Sequence, residues 1–186
     1  MADFSYLQKK PQIAARAFVH SNAVIIGDVR VGEDSSIWPF VCARGDMHTI
    51  KIGERTSIQD GCILHVTHKG KYTQEGFGVS IGDDVTVGHR VILHGCTIHS
   101  FSLIGMGSTL LDGVVVESDV LLGAGSLVLP GKTLTGGYLW AGSPAQKKRL
   151  LTDEEKAFIR YSAENYVKLK DQYIRHSCLN PPSFDI

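Results

Sequence analysis

The chain has 186 residues, with 19 Lys and Arg against 19 Asp and Glu, 43% hydrophobic residues, 20 glycines and 6 prolines. That balance fits one compact domain, and zero net charge leaves no basic footprint for nucleic acid or for an anionic membrane surface. No stretch approaches the roughly 18 apolar residues of a membrane span. The opening Met-Ala-Asp-Phe-Ser-Tyr lacks the charged and apolar regions of a secretory signal, so the expected compartment is cytoplasmic. Cys42, Cys62, Cys96 and Cys178 stand singly, without Cys-x-x-Cys spacing, and are expected to be reduced, mostly buried small hydrophobes.

Glycine, at about 11% against a usual level of about 7%, is the unusual figure. No Gly/Ser-rich linker absorbs it, which calls for a search for repeats. Aliphatic residues recur every six positions. Ile13, Val19, Ile25, Val31 and Ile37 lead, with Ala43 in the next place; Ile52, Ile58 and Leu64 follow, then Ile81, Val87 and Leu93. After a slip of one residue come Ile98, Ile104, Leu110, Val116, Leu122, Val128 and Leu134. Small or β-branched residues lie four places after most starts, and glycine directly follows six of them, including Gly32, Gly53, Gly82 and Gly88.

A short strand and a tight turn every six residues build a three-sided coil with the aliphatic start pointing inward and glycine relieving crowding at the corners. Stacked coils pair as parallel strands about 4.8 Å apart, so about six coils make a prism roughly 30 Å tall. The predicted fold is therefore all-β: a single-stranded parallel β-helix of hexapeptide repeats over residues 1–145. Past Leu134 the pattern breaks at Trp140-Ala-Gly-Ser-Pro144-Ala145. A C-terminal helical segment, 146–178, follows. Thr152-Asp-Glu-Glu155 reads as its capping box, and Phe158, Ile159, Tyr161, Tyr166, Val167, Leu169, Tyr173 and Ile174 form the stripe that packs along the prism. Residues 179–186 read as a frayed tail.

The repeat is interrupted twice. Nine residues separate Ala43 from Ile52, three more than a hexad, around Met47-His48-Thr49. Seventeen separate Leu64 from Ile81, one hexad plus an eleven-residue loop beginning at Thr67. Loops leaving a rigid scaffold tend to carry function. With three hexads per turn, Ala43, Leu64 and Leu93 stack on one face, so Arg44, His65 and His94 share one place on successive coils. Ile58 and Val87 stack on a second face, where Asp60 and His89 share a place. His65 and His94 then lie about one strand spacing, roughly 5 Å, apart, close enough to share a metal. His89 sits on another face and does not readily join them within one chain, but a three-fold trimer would bring that face against the His65/His94 face of a neighbouring copy. Three neutral imidazoles with an open fourth position make a catalytic zinc pattern; the competing reading is of histidines satisfied by hydrogen bonds. His20, His48, His68, His99 and His176 show no such order and keep structural or solvent roles.

Arg44-Gly-Asp46, Ser57-Ile-Gln59-Asp60-Gly61, His65, Gly88-His89, His94-Gly95, the Gly142-Ser-Pro144-Ala145 close and Arg160-Tyr161-Ser162-Ala163 together resemble the gamma-class carbonic anhydrase family, and look most like its bacterial YrdA-like branch. The resemblance implies a left-handed β-helix, against the right-handed general rule for crossovers. It also implies a homotrimer whose interfaces bind Zn2+, with Fe2+ or Co2+ as alternatives, through His65 and His94 of one subunit and His89 of the next. Gln59 would orient the water on the metal, and Asp60 and Arg44 would pair between subunits. Arg44 would also assist bicarbonate, Asp46 would hold the interface, and Tyr138 would lie near the rim. The implied activity is reversible hydration of carbon dioxide to bicarbonate by a zinc-bound hydroxide. Met47 and the loop from Thr67 to Gly78, whose single acid is Glu75, depart from the acidic proton shuttles of fast members, which implies weak or silent activity. Two alternatives stay open: an acyl-CoA thioesterase or acyltransferase on the same scaffold, and a non-catalytic, metal-stabilised trimeric assembly protein.

Overall fold

The computed structural model describes the backbone of residues 2–179. It is a left-handed parallel β-helix of about seven turns, one more than the sequence count, with one C-terminal helix. Every strand pair is parallel except the last, in which Gln146–Leu150 returns antiparallel to Tyr138–Ala141. The register follows the six-residue period. Ala43 pairs with Leu64 and Leu64 with Leu93 on one face, Ile52 with Ile81 on the next, and Ile37 with Ile58 and Ile58 with Val87 on the third.

The inward starts from Ile25 onward are 0–4% exposed and form one continuous column. Burying each such side chain contributes roughly 1.5–3 kcal/mol, so a hexad out of phase would turn a large apolar group to solvent. Ile13 and Val19, on the first coil, are only partly buried. The glycines that directly follow a start serve close packing of coil on coil: a Cβ on Gly82 or on Gly88 would lie 2.7 Å from a backbone nitrogen of the coil above. The corner three residues after a start is where the backbone turns left-handed, and Asp34, Arg55, Asp84 and Arg90 take it there with φ between 50° and 58°. Asp tolerates that region through local hydrogen bonding, whereas the arginines carry its strain.

Three sequence expectations are corrected. Trp140 does not break the repeat: it stands six residues after Leu134, pairs with Leu122, is 4% exposed, and its wide ring closes the end of the column. Residues 146–150 are strand rather than part of the helical segment, because the open edge of Tyr138–Ala141 offers backbone partners before the chain can turn. The helix Asp153–Leu179 begins after them, with Thr152 Oγ1 accepting from the Glu155 amide (3.2 Å) and Glu155 accepting from the Thr152 amide (2.9 Å), both bonds of a capping box. Its buried stripe runs through Ile159, Ser162, Ala163 and Lys170, while Phe158 and Tyr161 are more than half exposed. The stripe is partly polar because it lies on a sheet face of Ser36, Ser57 and Thr86: the Ser162 and Thr86 hydroxyls are 3.0 Å apart, and Lys170 Nζ reaches Asp34 Oδ1 at 2.9 Å. The tail 180–186 lies outside the described residues.

Cys62 and Cys96 are buried free thiols, pushed up by burial to about 11 and about 12, and Cys42 is a partly buried free thiol. The side chain of Cys178 lies outside the described residues. Among the described residues, no helix is long and apolar enough to cross a membrane.

Candidate metal centre

The ladder puts Arg44, His65 and His94 at one level on three successive coils. The two imidazole centroids are 5.2 Å apart, and His65 Nδ1 faces His94 Nε2 at 3.2 Å. The first interruption of the repeat is not a loop. Cys42–Ile52 is one continuous strand that bends from face to face, and its extra residues bulge out opposite Asp28 where the pairing shifts between Gly27 and Val29. The bulge carries Asp46 to the histidines, with Asp46 Oδ1 3.2 Å from His65 Nε2. Arg44 is ion-paired with the other oxygen of Asp46.

At the opposite end, Asp112 Oδ1 lies 2.7 Å from His94 Nδ1, and the Thr67 hydroxyl is 2.9 Å from both Asp112 oxygens. Sequence reasoning missed Asp112 and Thr67. A signal existed: Leu110 pairs with Leu93, and Asp112 stands two residues past its start, as Asp60 does on the other face.

Four groups thus form a line: Asp46, His65, His94, Asp112. It has three close contacts, but two neutral imidazoles own only two N–H protons. If each ring donates to its own carboxylate, the lone pairs of His65 Nδ1 and His94 Nε2 converge with nothing between them, and the gap calls for a cation. A proton on His65 is disfavoured, since burial and then the Arg44 charge lower its pKa. Burial pushes the Asp46 carboxyl up, but its hydrogen bond to Arg44 and the Arg44 charge outweigh this and hold it below its ordinary range. Two nitrogens bound to one tetrahedral ion at about 2.0–2.1 Å lie roughly 3.3 Å apart, so the pair fits a shared metal.

On the third face His89 Nδ1 is 2.9 Å from Asp60 Oδ2, which leaves Nε2 free, and both side chains are 46% exposed. The structure does not bring His89 to the other two histidines. Among the described residues of one chain, no group of three or more His, Cys, Asp and Glu side chains is arranged to hold a metal ion. Within the chain Asp60 is partnered by His89 and Arg44 by Asp46. Gln59 is 5% exposed and lies near Tyr166 of the helix, whose hydroxyl is pushed up by burial and then by the Asp60 charge. Within the chain Tyr138 stands apart from His89. Its strand is three strand spacings, about 14 Å, from Thr86–Val87, and Lys147 Nζ sits 4.0 Å from its ring centroid.

Among the remaining histidines, His20 and His48 each accept a neighbouring backbone N–H at Nδ1, as structural residues do. In the loop after Thr67, Glu75 is paired with Lys69, which holds its carboxyl low.

No family model matches the chain. It is 60% identical over 164 residues to Protein YrdA of Escherichia coli, covering 88% of this chain and 89% of that one. It is 41% identical to a carbonic anhydrase of Geobacillus kaustophilus, over 92% of this chain and 90% of that one. It is also 47% identical to the mitochondrial gamma carbonic anhydrase 1 of Arabidopsis thaliana, over 87% of this chain and 58% of the plant chain. Among solved structures, a hexapeptide transferase family protein from Anaplasma phagocytophilum superposes with a TM-score of 0.85 at 41% identity, over 92% of this chain and 98% of that one.

Proposed function

Because the chain belongs to the gamma-class carbonic anhydrase family, we propose that it is a cytoplasmic homotrimer that hydrates carbon dioxide reversibly to bicarbonate at divalent metal sites between its subunits. The carrying observation is the Asp46–His65–His94–Asp112 line, which has three close contacts for two neutral imidazoles and in which His65 Nδ1 and His94 Nε2 meet at 3.2 Å. His65 and His94 would hold the ion from one subunit, and His89, with Nδ1 committed to Asp60, would supply Nε2 from the next. We assign zinc as the metal, with iron and cobalt as alternatives the same imidazoles accept. When bound, such an ion supplies Lewis acidity that lowers the pKa of a water from about 16 to about 7.

The chain's own residues then have these parts. Asp60 orients His89 and stabilises its ligating tautomer. Arg44, fixed by Asp46, offers a guanidinium to bicarbonate. Gln59, next to Asp60, orients the attacking water. Each hydration releases a proton. Glu75 is a poor acceptor while Lys69 holds it ionised, so external buffer takes the proton and turnover is slow. The chain's buried, unpaired thiols fit a reducing compartment.

The test is zinc analysis of the purified protein followed by stopped-flow carbon dioxide hydration. Stoichiometric zinc and a rate above that of free zinc are expected; zinc without rate enhancement overturns the hydratase reading.

One observation favours a second reading, acyl transfer from or hydrolysis of acyl-coenzyme A. The exposed His89–Asp60 pair has the geometry of a general base and its orienting carboxylate, and a solved structure at 41% identity carries a transferase family description. Turnover of acyl-coenzyme A thioesters would promote it. A zinc-loaded trimer inert in both assays would instead be a structural assembly protein.

A further inference from the structure

We propose that Asp112 is a positioning residue that fixes His94 in the Nδ1–H tautomer, aims its Nε2 at the metal, and ties it to the loop after Thr67. The inference rests on the metal reading above for its effect on affinity, but not for its effect on the tautomer.

Asp112 lies one coil above His94, and its Oδ1 is 2.7 Å from His94 Nδ1, the shortest of the three contacts in the four-residue line described above. A carboxylate can only accept at this spot, so the shared proton resides on Nδ1 and Nε2 keeps its lone pair. That lone pair points at His65 Nδ1.

The approach is built rather than incidental. His94 is followed by Gly95, at φ +55°, and a Cβ on Gly95 would collide with Asp112 Oδ1. Glycine therefore meets two demands there, a left-handed backbone and room for the carboxylate. The second Asp112 oxygen is held by Thr67, whose backbone pairs with Phe77 across the neck of the loop, N to O in both directions at 2.8 and 3.0 Å. A change in loop conformation is thus transmitted through Thr67 and Asp112 to the His94 ring.

The experiment reads the His94 ring nitrogens by long-range proton–nitrogen NMR in metal-free protein, and zinc affinity by chelator competition, in wild type, Asp112→Ala, Asp112→Asn and Thr67→Val. Wild type is expected to carry the proton on Nδ1. Asp112→Ala is expected to lose that preference and to bind zinc roughly 10–100-fold more weakly. Asp112→Asn, whose carbonyl still accepts, is expected to rescue the tautomer, and Thr67→Val to lose less affinity than Asp112→Ala.

A wild-type ring protonated on Nε2 overturns the proposal without any variant, even if Asp112→Ala fails to fold. Unchanged tautomer and affinity in folded Asp112→Ala also overturn it. If wild type binds no zinc while the tautomer shifts as expected, Asp112 keeps its positioning role and the metal reading fails instead.

Discussion

The His65/His94 face and the His89 face are built by the same repeat yet end in different states. On the first, two histidines stand in adjacent rungs, Asp46 and Asp112 close the line at each end, and His65 is 17% exposed at its side chain. On the second, a single histidine has one carboxylate partner, and half of the pair faces solvent. The first face turns two ring nitrogens towards each other, while the second points His89 Nε2 away from its Asp60 partner. On the proposed reading, the comparison teaches that one site is divided between two surfaces that each fold completely on their own.

The largest expected effect comes from the first face. His94→Ala is expected to lose stoichiometric zinc and to lower carbon dioxide hydration by more than about 100-fold, beyond the loss usual for an outer partner. Metal analysis and stopped-flow assay read both. His89→Ala is expected to lose zinc as well, although its residue lies on the other face; retention of zinc in that variant breaks the proposed intersubunit pairing.

A smaller effect distinguishes packing from chemistry. Leu64→Ala and Ile58→Ala each remove a side chain that is 0% exposed, one under each face, and each is expected to cost about 2–5 kcal/mol in urea unfolding. Of the two, Leu64 directly precedes a proposed metal ligand, His65, so at equal stability cost Leu64→Ala is expected to weaken zinc more.

The smallest effect lies off both faces. The hydrogen bond from Arg149, with further help from Thr152, holds Glu155 down to about 2. Because the folded value is depressed, this contribution is complete above the unfolded range near 4.5 and is lost as pH falls towards about 2. The melting temperatures of wild type and Glu155→Gln are expected to differ most above about pH 5, to draw together as pH falls below 4.5, and to converge only at about pH 2. A gap that persists would assign the effect to shape rather than charge.

The column of the fold was legible because its period is a physical necessity: one residue in six must point inward, and three hexads close a turn. That same count stacked His65 on His94 and set His89 beside Asp60, side by side on the ladder. It failed at Trp140, where an aromatic residue replaced the aliphatic start, and at Phe158 and Tyr161, where helical periodicity was read without knowing that the receiving sheet face carries Ser36, Ser57 and Thr86. The Arg44–Asp46 pair and the bulge behind it were not legible, since three extra residues can leave a strand as readily as stay in it.

Sequence by itself therefore determined which residues share a rung, because parallel backbone ladders convert spacing into height with no freedom left over. Tertiary structure alone decided where each ring nitrogen points. That depends on side chains reaching across coils, Asp112 to His94 and Asp46 to His65, whose contacts are set by packing and hydrogen-bond geometry rather than by distance along the chain.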